Sequence, residues 1–137
     1  MISLKELLGN ADFNSQSKEI QGNLMVLLER VNKVRSQWPT PWTVTSGFRT
    51  MEDHIRIYKE KAAKASVPFD LSKVPMKSKH LIGAAVDIYD PDLRITEWLK
   101  ANPEILEDAQ LWCEEGNKNW THFQILPPNS RNLWFLP

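Results

Sequence analysis

Three side chains are of types that grip a metal ion. His80 and Asp87 stand seven positions apart in "SKHLIGAAVDIYD", residues 78–90, and His122 follows in "WTHFQIL". Side chains alternate between the faces of a strand. In "AAVDIYD", Ala84, Val86 and Ile88 therefore share one face, and Ala85, Asp87 and Tyr89 share the other. The first set suits a core, while Ala85 leaves space beside the Asp87 carboxylate. Gly83 allows a tight backbone approach just after His80. In the later segment Thr121, Phe123 and Ile125 suit the core, so His122 points with Trp120 and Gln124 to the opposite face. Two imidazoles and one carboxylate leave a fourth position for water. That is the pattern of a catalytic zinc, whereas a structural zinc usually has four protein ligands.

Arg49 in "TSGFRT" adds a fourth chemical group, a guanidinium placed straight after a strand and a glycine turn. Such a group can hold a carboxylate through two parallel hydrogen bonds. Two acids, Glu114 and Glu115, precede His122 and are candidates for a general base. His54 reads as a surface or packing residue. Cys113 alternates with Glu114 and reads as a buried, inert thiol.

Elements that would position these groups can be read from local pattern. "SLKE" at 3–6 is a capping box, and Gly9 ends a short first helix. Ile20, Leu24, Leu27, Leu28, Val31, Val34 and Trp38 recur at threes and fours, which predicts a helix over residues 16–38, stopped by Pro39 and Pro41. "WTVTSG" at 42–47 reads as a strand, and Thr50 as the cap of the helix that follows. Residues 66–79, with two prolines, read as a surface loop. Asp92 is the expected cap of a helix through about Ala101, and Pro103 starts another. "LWCE" and "WTHFQIL" read as a hairpin around "EGNKN". With the turn at residues 115–119, Glu114 opposes Trp120 and shares the His122 face, while Glu115 falls in the turn. A slip of two residues keeps that face and a slip of one reverses it. The tail from Pro127 reads as extended. The expected class is α+β: a small antiparallel sheet with N-terminal and flanking helices, in one domain over residues 1–137.

Bulk composition narrows the partners. The chain has 137 residues, 17 Lys+Arg and 17 Asp+Glu. Zero net charge and the lack of a basic run argue against nucleic acid or an anionic membrane as partner. With one cysteine, neither an internal disulfide nor a cysteine-rich zinc site is expected. "MISLKELLGN" lacks a signal-peptide core, and no stretch approaches a membrane span. Length and neutrality suggest a monomer.

"SGFRT", "SKHLIGAAVDI" and "WTHFQ", in that order, resemble the zinc D-alanyl-D-alanine carboxypeptidase family. That family includes phage endolysins that cut L-alanyl-D-glutamate bonds, and it shares its fold with the hedgehog signalling domain. Ser78, His80, Gly83, Ala85 and Asp87 match every fixed position of the pattern S-x-H-x-x-G-x-A-x-D. The resemblance implies Zn2+ held by His80, Asp87 and His122, a substrate carboxylate on Arg49, and a peptidoglycan stem peptide as substrate. It also implies a phage or prophage product, made in the host cytoplasm and acting at the cell wall or carried in a virion. Many members carry an acid three residues before the last histidine. Here that position is Asn119, so Glu114 is the expected base, with Glu115 as alternative. A zinc-containing wall-binding or virion module without turnover is the competing expectation.

Overall fold

The computed structural model describes residues 1–137. Helix α1, Leu4–Leu8, opens with the reciprocal capping box of Ser3 and Glu6. Helix α2 spans Lys18–Arg35, with Ser17 accepting from the Ile20 N–H. It is shorter at both ends than the apolar stripe predicts. Ser17 caps its start, and Trp38 lies beyond its end, packed on Trp98 at 4.9 Å. Leu24, Leu27, Val31 and Val34 are fully buried. Strand β1, Val44–Ser46, leads through Gly47 to helix α3, Met51–Lys64, capped by the Thr50 hydroxyl. The proline-rich segment after it is irregular apart from short 3₁₀ turns at Leu71–Lys73 and Lys79–Ile82. Strand β2 follows at Ala85–Asp90, then α4 at Arg94–Ala101 and α5 at Pro103–Ala109. The chain ends with β3, Trp112–Glu114, β4, Asn119–Gln124, and β5, Trp134–Phe135.

The five strands lie in the order β1-β2-β4-β3-β5. The class is α+β, as expected. The first four strands pair antiparallel, while β5 runs parallel to β3 and makes the sheet mixed. This strand comes from the tail. Its partners are the Cys113 N–H, which donates to Leu133 O at 2.8 Å, and the Glu115 N–H, which donates to Phe135 O at 2.6 Å.

One sheet face meets the helices. Ala84, Val86, Ile88, Cys113 and Phe123 are all 0% exposed there, and Trp42 stacks on Phe123 at 5.6 Å. The expected α4 cap is corrected: Asp90, not Asp92, accepts from the Ile95 and Thr96 N–H groups, both at 3.0 Å. Asp90 sits at the end of β2 and reaches the helix across Leu93, which turns the chain with φ 56°. It also accepts from the Thr121 hydroxyl at 2.8 Å, so one buried carboxylate joins β2, β4 and α4.

Gly47 shows how tightly the site's support is packed. A Cβ there would lie 2.3 Å from Leu7 O, in backbone that cannot swing aside. The next residue donates to that same oxygen, Phe48 N to Leu7 O at 2.7 Å. Gly47→Ala is expected to destabilise the fold by about 2 kcal/mol through overpacking. Chemical denaturation checks this, and an unchanged midpoint would show that α1 yields freely.

Candidate metal centre

His80 lies in the 3₁₀ turn before β2, where the Ser78 hydroxyl caps the turn and Gly83 closes it with φ 72°. Asp87 and His122 are Cα partners across β2 and β4. Antiparallel pairing therefore puts both side chains on one face, and the turn carries His80 over it. His80 Nε2 is 3.3 Å from Asp87 Oδ2, and His122 Nδ1 is 2.9 Å from Asp87 Oδ1. Two ligands each 2.0–2.1 Å from a tetrahedral ion stand about 3.3 Å apart, which these separations approach. All three groups are buried and their ligand atoms lie within 4.8 Å of one another.

Hydrogen-bond partners fix the histidine tautomers. His80 Nδ1 faces Gly47 O at 2.8 Å, and a carbonyl only accepts, so Nδ1 carries the hydrogen. The Gln124 amide nitrogen donates to Leu126 O at 2.8 Å, which turns its Oε1 toward His122 Nε2 at 2.9 Å. His122 therefore donates from Nε2. In their neutral forms both imidazoles then aim lone pairs, His80 Nε2 and His122 Nδ1, at a carboxylate that also only accepts. Three converging acceptors require a cation between them, either a proton or a metal ion. Two imidazole nitrogens and a carboxylate oxygen are a donor set that zinc accepts, so the residues fit the metal.

The electrostatics agree. Burial alone would raise the Asp87 carboxyl, but when protons rather than a metal lie between these groups, hydrogen bonds from His122 and His80 hold it well below the usual carboxylate range. Burial alone would lower His122; the hydrogen bond and charge of Asp87, with smaller contributions from Gln124 and Glu114, raise it.

Arg49 borders the same group. Its Nη2 is 3.9 Å from Asp87 Oδ2, and its Nε donates to the Ser46 hydroxyl at 2.9 Å. His54, expected at a surface or in packing, is 0% exposed. Its Nε2 donates to Pro75 O at 2.7 Å, and its Nδ1 faces Arg49 Nη1 at 3.4 Å. Burial lowers His54, the Pro75 carbonyl opposes this, and the Arg49 charge reinforces it, so the ring is held neutral. It thus ties the guanidinium to the loop wall. Neither His54 nor this loop contact had a signal in the local pattern, whereas Gln124 was legible as the residue two along from His122 on the same strand face.

A cavity of about 730 Å³ opens over these groups; it is lined by His80, Asp87 and His122 together with Arg49, Glu114 and Trp120. The expected hairpin register is corrected by two residues. Trp112 pairs with Gln124 and Cys113 with Phe123, so continuing the ladder sets Glu114 beside His122 rather than Trp120. An even shift preserves the face, and Glu114 lies in the cavity. Asn117, in the orientation that satisfies both neighbours, donates to Glu114 Oε1 at 3.0 Å and accepts from Trp120 Nε1 at 3.2 Å. Glu115 instead forms an ion pair with Lys100 of α4. Asn119 pairs with Asp90 at the far end of β4 and does not line the cavity. The structure thus brings His80, Asp87, His122, Arg49 and Glu114 together and leaves Glu115 and Asn119 outside.

A family model described as VanY, D-alanyl-D-alanine carboxypeptidase, matches residues 16–131. No curated protein and no solved structure matches the chain.

Proposed function

The chain belongs to the D-alanyl-D-alanine carboxypeptidase family, and from that premise we propose that it is a zinc-dependent peptidase of peptidoglycan stem peptides. The observation that carries this reading is the convergence of two imidazole lone pairs on the Asp87 carboxylate, inside an open cavity that also holds Glu114. His80, Asp87 and His122 would hold the ion. Zinc in such a site polarises a carbonyl and lowers the pKa of a water at its open position.

The chain's own groups supply the rest. Glu114 accepts the proton of the attacking water and returns it to the leaving amine nitrogen. Asn117 orients that carboxylate through its amide. Arg49, held from two sides by Ser46 and His54, presents Nη2 to a substrate carboxylate and sets which bond lies over the centre. Trp120 and Phe135 line the cavity and give it aromatic walls. Gln124 holds the His122 tautomer, so Gln124→Ala is expected to weaken zinc binding about 10- to 100-fold without unfolding the chain. Competition with a metal-sensitive dye measures this, and undiminished affinity would mean that the amide does not orient the ring.

A non-catalytic zinc module is favoured by one observation, Asn119 where many relatives carry an acid. Glu114 in the cavity answers it. Zinc per chain and mass spectrometry of murein fragments separate the two readings. The peptidase predicts about one zinc and new amine termini; zinc without new termini would leave the binding module, and no zinc would end both. A single buried core running through helices and sheet supports one domain over residues 1–137. No helix is long and apolar enough to cross a membrane. Length and neutrality favour a monomer, and the proposal of a phage or prophage source is carried by the resemblance.

A further inference from the structure

The cavity's lining is uneven in charge. Arg49, Lys61, Lys77 and Lys79 face it, against only Asp87 and Glu114 among the acids. A chain with no net charge has therefore gathered cations at one place. None of the three lysines forms an ion pair with the protein's own carboxylates, although Arg56 and Lys100 do. Lys61 lies over the Tyr58 ring at 4.7 Å, a contact that leaves its charge uncompensated.

Sheet order distributes these groups. Across the face run Asp87 on β2, His122 on β4, Glu114 on β3 and Phe135 on β5. Arg49 lies beyond the β1 edge. The loop that carries Lys77 and Lys79 is tied to it, because the Arg49 N–H donates to His80 O at 3.1 Å and His54 bridges to Pro75 O. Lys61 stands on the same helix as His54, close enough for its charge to bear on that ring. One arm of the cleft is thus cationic, and the other, with Phe135, Pro127 and Pro137, is apolar.

We propose that the arm formed by Lys61, Lys77 and Lys79 is a second anion subsite, which selects peptides carrying a carboxylate in addition to the one Arg49 would hold. The ligand class is a polyacidic peptide. This rests on the peptidase reading and deepens it: amidation of an acidic residue in the stem, which removes the charge and keeps the shape, becomes the feature that the enzyme discriminates. Exposed ammonium groups act together and weakly, so the preference is sensitive to salt.

The test measures binding, so that it is separable from turnover. Zinc-loaded chain with Glu114→Gln, which cannot consume the ligand, is titrated calorimetrically with a synthetic peptide bearing a C-terminal carboxylate and one acidic side chain. It is titrated again with the same peptide amidated at that side chain. The free acid is expected to bind about tenfold tighter, and the difference should shrink at high ionic strength. With Lys61→Gln, Lys77→Gln and Lys79→Gln added, the two peptides should bind alike. Equal affinities before the lysines are replaced, or a preference that survives their replacement, would overturn the subsite. Native chain that releases no fragment from murein while the charge preference persists would instead remove the peptidase reading and leave the subsite standing.

Discussion

Glu114→Gln is expected to leave zinc bound and to lower kcat on a stem peptide about a thousandfold, within the range that a positioned acid–base group contributes. Glutamine keeps the shape, and its own Oε1 still accepts from the Asn117 amide, so the cavity is preserved. What is lost is the ability to take up a proton. KM should change little, because the carboxylate lies beside His122 and not at the cationic arm. Steady-state kinetics with zinc analysis on the same sample decide it. Activity within a few-fold of native would move the proton-transfer role elsewhere; Glu115, paired with Lys100 outside the cavity, is then the group to replace next.

Asp87→Asn is expected to remove both metal and activity. The carboxylate supplies the one formal negative charge among the three donors, and it faces both imidazoles. An amide would present a neutral oxygen to one histidine and an N–H to the other lone pair. Zinc content should fall from about one per chain to near zero under dialysis that leaves the native protein loaded, with turnover falling in step. The native site should also release zinc as pH falls. His122 is raised above its ordinary value, so in the metal-free chain a proton occupies the place between Nδ1 and Asp87 and competes with the ion. Affinity is therefore expected to rise with pH until that proton is lost. Full zinc content in Asp87→Asn, or affinity independent of pH, would mean that the three groups do not form the site.

Local chemistry explains what was readable beforehand. The spacing from Ser78 to Asp87 contains a capped turn, a glycine that must adopt a left-handed conformation, and a strand of defined parity. Each is set by near neighbours in the chain. Parity also carried Glu114 to its face although the assumed hairpin register was two residues off, because an even slip does not turn a strand over. Asp90 and Asp92 show the opposite case. Both are plausible caps by position, and the choice fell to the one that also reaches Thr121 on a neighbouring strand. His54 looked ordinary because its partners, Arg49 and Pro75, lie in separate segments that only packing brings to the ring.

The amino-acid sequence alone determined the α+β class, the three candidate ligands and the faces of β2 and β4, since periodicity, capping and turn chemistry act over a few residues. Tertiary structure decided which nitrogen of each histidine is free, which acid enters the cavity, that the tail joins the sheet as a parallel edge strand, and that three lysines line the same cavity as Arg49. Those features depend on hydrogen bonds and charges between segments tens of residues apart, and only a folded chain brings such partners within reach.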